Sequence, residues 1–120
     1  MATVKRFEDL ECWKKARELT NYIFELTKKE AFKQEYDLKS QIKSAALSSM
    51  SNIAEGFGRF SRADFKRFLT IASGSTMEVR SILYITIDQN LITQTEFEEG
   101  SEKATDTNNL IIGLIKYLKE

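Results

Sequence analysis

The sequence predicts an all-α protein: an antiparallel up-and-down four-helix bundle built from a single domain over residues 1–120. Three observations lead there. Apolar residues recur at three- and four-residue steps through most of the chain, the spacing that lines one face of a helix. Proline is absent, so no helix interior meets a residue that lacks an N–H and clashes with the preceding turn. Where the stripes break, the chain carries glycine, or Ser/Thr with an acidic residue three positions on, as helix ends require.

In the first stripe Leu10, Trp13, Ala16, Thr20, Ile23 and Leu26 oppose Glu11, Lys14, Lys15, Glu18, Glu25 and Lys28, predicting a helix from about Glu8 to about Lys29. The connection KKEAFKQEYD is polar apart from Ala31, Phe32 and Tyr36, and its two aromatics are expected to fold back as a plug over the bundle end. A second helix begins between Glu35 and Leu38 and carries Leu38, Ile42, Ala45, Ala46, Ser49, Ile53 and Phe57 on one side. Its small core residues allow close approach to its neighbours. Gly56 and Gly58 are expected to end it, since glycine adopts the left-handed conformation of a helix C-cap at little cost.

The third helix opens at SRAD, with Ser61 as N-cap and Asp64 as its capping-box partner. Phe65, Phe68, Leu69, Ala72, Thr76, Val79, Leu83 and Thr86 form one stripe; Ile71, Ser75, Glu78, Ile82 and Ile85 form another. Two stripes imply two covered faces, hence a homo-oligomer. The β-branched LYITI at Leu83–Ile87 reads locally as a strand, but the helical pattern runs through it unbroken. Thr93 with Glu96 marks the start of a fourth helix. It ends near Leu118, with Phe97, Ala104, Asn108, Ile111, Leu114, Ile115 and Leu118 inward and Glu98, Glu99, Glu102 and Asp106 outward.

Composition narrows the function classes. At 120 residues, 42% hydrophobic and 30% charged, the chain suits one packed core and is neither disordered nor collagen-like. Eighteen bases balance eighteen acids, so no long-range field draws the whole molecule to a polyanion, and any such site must be local. Cys12 is the single cysteine, which precludes an intrachain disulfide and reads as a small apolar residue. The opening MATVKRFEDLECW lacks the apolar core of an export signal, and no run approaches the ~20 apolar residues of a membrane span; a cytoplasmic location is expected.

Most catalytic devices lack their parts. There is no histidine, which removes histidine-based triads, helical zinc motifs and the Glu-x-x-His pattern of di-iron bundles. Glu55 and Glu78, if they met, would make only a weak hard-cation site. GFGRFS follows a helix, not a strand, and has neither the third glycine nor the acidic partner of a dinucleotide fold. GSTMEVRS around Gly74 lacks the Gly-Lys-Ser/Thr of a phosphate loop and reads as a close helix contact. Ser48, Ser49 and Ser51 have no base to activate them and read as packing residues. No enzymatic activity, cofactor, metal or small-molecule substrate is expected.

The remaining candidate is electrostatic. Arg59, Arg62, Lys66 and Arg67 oppose only Asp64, at a corner where the helix starting after Ser61 also presents free N–H groups to anions. These bases suit phosphates, and Phe57 or Phe60, if exposed, would stack on unpaired bases. Against this stands the acidic stretch Glu96, Glu98, Glu99, Glu102 and Asp106, with Lys103 its one base. The basic corner could pair with that stretch within a protomer or between protomers, and both alternatives stay open.

SNIAEGFGR followed by DFKRFLTIASGSTMEV resembles the signature of the four-helix-bundle proteins encoded in intervening sequences of bacterial 23S ribosomal RNA genes, the S23 ribosomal protein family. DLECWKKARELT and YDLKSQIKSAALSSMSNIAEG are similar to that family's first two helices. The resemblance implies a ring-like homopentamer. It also implies kinship with the accessory variability proteins of diversity-generating retroelements, which bind nucleic acid through a basic surface. The family motif falls on Ser51, Asn52, Ile53, Ala54, Glu55, Gly56, Gly58 and Arg59, and on Gly74, Ser75 and Glu78 of the third helix. Asn52 and Glu55 are expected as buried polar fasteners of packing or assembly. Two departures stand out: Met50 replaces a proline, which weakens an expected kink, and Lys43–Ser44 replaces an arginine pair, which lowers the basic charge.

Overall fold

The computed structural model describes residues 4–119; the part of the export-signal reading that rests on residues 1–3 lies outside it. A one-turn 3-10 helix, Phe7–Asp9, leads into α1 (Glu11–Leu26), and a second, Glu30–Phe32, separates α1 from α2 (Tyr36–Phe57). Two short turns then connect α3 (Arg62–Asp88) and α4 (Gln94–Leu118). α1 is shorter than the spacing predicts because Leu10, at φ −72° and ψ 128°, breaks the helical path. α2 runs without interruption, and LYITI lies inside α3.

The helices pack in chain order around a square, α1 against α2 and α4, α3 against α2 and α4, giving a bundle about 45 Å long. The connections run four to nine residues, short enough to favour antiparallel neighbours. The α2–α3 turn therefore lies at one end of the bundle, and the α1–α2 and α3–α4 connections at the other.

The predicted core stripe of α3, from Phe65 to Thr86, is buried throughout. On α2 the buried set is Ile42, Ala45, Ala46, Ser49, Ile53 and Gly56, with Leu38 and Phe57 half-buried. On α4, Ala104, Ile111 and Leu118 are buried as expected, joined by Gly100 and Thr107. Of the two aromatics in that connection Phe32 is fully buried, whereas Tyr36 lies in solvent, so one of them and not both plugs that end.

Two apolar clusters share the length of the bundle, one around Leu19, Ile23, Phe32, Ile42, Leu83 and Ile92, the other around Leu10, Ala16, Ile53, Phe65, Leu69 and Ile111. Between them sits a waist of hydroxyls, one from each helix: Thr20, Ser49, Thr76 and Thr107, all buried. Each donates to a carbonyl of its own helix: Thr20 to Ala16, Ser49 to Ala46, Thr76 to Ala72 and Thr107 to Lys103, at 2.7–2.8 Å. Buried hydroxyls without partners would each cost about 1–3 kcal/mol; these are satisfied.

Helix ends follow sequence chemistry with one relocation. Ser61 accepts from the Asp64 N–H at 3.1 Å, but the Asp64 carboxylate does not return the bond, so half the expected capping box forms. At α4 the box is complete, Thr93 accepting from the Glu96 N–H and Glu96 from the Thr93 N–H. α2 does end at Gly58, but in right-handed conformation; among the described residues no glycine has positive φ, and the left-handed conformation occurs at Asn90, φ 62°, after α3. Leu91 N–H bonds the Thr86 carbonyl and Asn90 N–H that of Ile87, the paired bonds of a Schellman end.

Candidate functional site

The α2–α3 turn gathers Arg59, Arg62, Lys66 and Arg67, as the sequence predicts. The guanidiniums of Arg59 and Arg67 lie 4.8 and 4.5 Å from the centre of the buried Phe68 ring. Arg59 also pairs with Glu55 at 2.8 Å, one turn earlier, and Arg67 approaches Asp64 at 3.8 Å. Such exposed pairs contribute about 0–1 kcal/mol, so they orient the arginines more than they stabilise the fold. The side chains of Arg62 and Lys66 have no carboxylate partner among the described residues. Phe60 is fully exposed beside them, while Phe57 is half-buried edge-on against Phe65 and is not available for stacking. Phe60, Arg59, Arg62 and Tyr117 border a shallow cleft at this end.

Gly56 is essential to this corner for a reason other than capping. A Cβ there would stand 2.6 Å from the Phe68 Cβ and 3.0 Å from the Phe65 ring, so α2 and α3 approach too closely for any side chain. Gly58 continues in right-handed helical conformation and carries no such contact. Gly74, expected at a close contact, is exposed, with nothing within 4 Å of its Cβ position.

The predicted polar fasteners also move. Glu55 is exposed and paired with Arg59, not buried. Asn52 is half-buried and donates to the Ser48 carbonyl and hydroxyl within α2, both at 2.9 Å. Side-chain fasteners between helices are the Ser48–Ser75 hydroxyl pair at 2.9 Å, Gln41 to Glu78 at 3.2 Å, and Ser73, which donates to the Asn108 side-chain oxygen at 2.6 Å. Glu78 thus lies level with Gln41, several turns of α2 from Glu55, and the two carboxylates form no shared cation site. Ser49 is buried and Ser51 exposed. Cys12 is buried, and desolvation pushes its thiol up to about 11, which leaves it protonated and unreactive at neutral pH.

The pairing of the basic corner with α4 within one protomer does not occur. Glu96 is held at the far end of the bundle, where Lys29 donates to it at 2.6 Å and Tyr22 donates to its carbonyl at 2.8 Å. Lys29, with the capping contacts of Thr93, holds the Glu96 carboxyl below the ordinary carboxylate range. Lys103, the one base in the acidic stretch, stands 5.6 Å over the Tyr22 ring. Glu99, Glu102 and Asp106 are exposed and unpaired among the described residues.

One basic surface escaped sequence reasoning. A groove between the end of α1 and the start of α2 is lined by Lys28, Lys29, Lys33, Lys39 and Lys43 together with Glu30 and Phe24; Lys28 pairs with Glu25 and Lys29 with Glu96, both at 2.6 Å, and Lys33 with Glu30 at 3.8 Å. It continues along α2 past Tyr36, Ser40, Ser44 and Leu47. Lys43 stands 4.6 Å over Phe24 and Lys39 6.0 Å over Tyr36, and neither has a carboxylate partner. The lysines are spread over sixteen positions interleaved with acids, so no local charge run announces them; Lys39 and Lys43, one helical turn apart, are the trace they leave.

Among the described residues no helix is long and apolar enough to cross a membrane, and no group of three or more metal-ligating side chains gathers. No curated protein matches the chain. A solved structure that is similar comes from Bacteroides thetaiotaomicron, described as a protein of unknown function from the S23 ribosomal protein family. It is 30% identical, aligns over 88% of this chain and 95% of its own, and superposes with a TM-score of 0.81. The model of the 23S rRNA-intervening sequence protein family matches residues 8–113, from the turn before α1 into the last turns of α4. With α1 to α3, most of α4, the Gly56 contact and the Ser48–Ser75 pair falling inside that span, the chain belongs to the 23S rRNA-intervening sequence protein family.

Proposed function

We propose that this protein is a non-catalytic bundle that assembles with copies of itself, a ring of five being what the family resemblance implies, and that its arginine corner contacts RNA in the assembled particle. The observation that supports assembly is the second stripe of α3. Ile71 and Ile85 are 42% and 48% exposed, with Ile82 half-buried between them and Gly74 open beside them. Isoleucines aligned on the solvent side of a helix are what a covered subunit face looks like before it is covered. Light scattering at micromolar concentration tests this: a multiple of 13.8 kDa is expected, and Ile71→Glu with Ile85→Glu should reduce it. A wild-type chain of monomer mass sinks the reading.

For RNA, the support is narrower than four bases. Arg62, Lys66 and the exposed Phe60 are free to meet a phosphate and a base, whereas Arg59 and Arg67 are already held against Phe68. Binding of structured RNA should weaken steeply as salt rises, because neutralised phosphates release counterions. Arg62→Gln with Lys66→Gln should lower affinity about tenfold or more while helicity by circular dichroism stays unchanged. The engagement of Arg59 and Arg67 favours a second reading, a protein scaffold with no nucleic-acid role; absence of RNA binding at low salt selects it.

A further inference from the structure

We propose that the lysine groove of α1 and α2 receives the acidic face of α4 from a second copy of this chain. This rests on the self-assembly reading above and adds to it the surfaces that meet and their orientation.

Both surfaces are incomplete in the single chain. On one side Lys39 and Lys43 hold their ammonium groups over Tyr36 and Phe24 without a carboxylate, in a groove whose other three lysines are already paired, Lys28 with Glu25, Lys29 with Glu96 and Lys33 with Glu30. On the other, Glu99, Glu102 and Asp106 are exposed with no cation, the nearby Lys103 being turned onto Tyr22. Opposite charges that each lack a partner, in a chain of zero net charge, are complementary to one another more than to a polyanion, which the acidic face would repel.

Geometry prevents them from meeting inside one protomer and favours a meeting between two. α1 packs against both α2 and α4, while α2 and α4 occupy opposite corners of the square, so α1 stands between groove and acidic face. Yet the two surfaces share one end of the bundle. Lys29, a groove residue, bonds Glu96, and Tyr22 bonds the Glu96 carbonyl, fixing the start of α4 level with the end of α1. A neighbour placed side by side and pointing the same way therefore brings its α4 to the groove at the right height. For such a parallel neighbour the basic corner, at the opposite end of the bundle, is not level with the acidic stretch. Two different surfaces at one level make a heterologous contact, which closes into a ring if the rotation between copies allows. Lys39 and Lys43 are on α2 whereas Ile71 and Ile85 are on α3, so charge and apolar contributions can be separated by mutation.

Three variants test this, read by light scattering over a salt series with circular dichroism as the folding control. Lys39→Glu with Lys43→Glu reverses the groove, Glu102→Lys with Asp106→Lys reverses the acidic face, and the third combines all four. Each reversed surface should weaken assembly about tenfold or more, as like charges then face each other. The combined variant should reassemble, because its two altered surfaces again match. If both two-site variants assemble like the wild type, the groove contact is overturned while self-assembly stands; if the wild type itself is monomeric, the assembly reading falls and the contact with it. If groove reversal leaves the mass unchanged and instead abolishes binding of a labelled oligouridylate, the groove belongs to nucleic acid and the proposal is likewise overturned.

Discussion

Gly56 of α2 and Gly74 of α3 are both glycines inside helices of the same hairpin, and the structure treats them in opposite ways. At Gly56 the backbone of α2 is pressed onto Phe65 and Phe68, with room for no further atom; at Gly74 the surface of α3 is bare. One end of the hairpin is finished within the single chain, and the middle of its outer face is not. The contrast teaches that a glycine in a helix marks close approach only where a bulky residue stands opposite. An exposed helical glycine lowers stability by itself and needs a reason outside the protomer.

Removing the closed end's bulk should have the largest effect. Phe68→Ala deletes a buried ring and the platform under Arg59 and Arg67, and should destabilise by about 3–5 kcal/mol in denaturant unfolding; a loss under ~1 kcal/mol would mean the corner is not packed as described. Gly56→Ala comes next. The added methyl meets the Phe68 Cβ, so overpacking of about 1–3 kcal/mol should outweigh the better helix propensity of alanine.

Glu96→Gln serves as a control far from the hairpin. It keeps the shape of the α4 cap but loses the charge facing Lys29, and should cost about 1 kcal/mol at neutral pH. Because the folded-state carboxyl titrates below its ordinary value of 4.5, the wild-type advantage is fully present above that value and fades as pH falls through the folded-state pKa. Wild type and variant should therefore converge in stability in acid, and a gap that persists there would assign the effect to packing. The smallest effect carries the opposite sign. Gly74→Ala should stabilise the single chain by about 0.5–1 kcal/mol, since the methyl meets nothing; a simultaneous drop in assembled mass would show that a neighbour's backbone needs that space.

The fold was legible because its signals are local. Eight residues at helical spacing, Phe65 to Thr86, placed the buried face of α3 without error, and Ser61 and Thr93 placed two helix starts. What escaped depends on what stands across from a residue. Gly56 and Gly74 look alike in one dimension; Glu55 looks like a buried fastener until Arg59 is seen one turn away. The left-handed end of α3 fell on Asn90 because asparagine also tolerates positive φ, a signal passed over in favour of the glycines. The arginine corner was contiguous in sequence and was found, whereas the lysine groove needs α1, the connection and α2 folded together before its charge exists.

The waist of hydroxyls bears on how this bundle is put together. Thr20, Ser49, Thr76 and Thr107 each bring a hydrogen bond already closed on their own helix, and only Thr20 reaches further, to the Ala46 carbonyl at 2.9 Å. A helix carrying such a group can leave water before its neighbours arrive, with no polar search to complete as the core closes. Hairpins should thus be able to dock in any order, and the core's register is left to shape, above all to the single place where α2 has no side chain to offer.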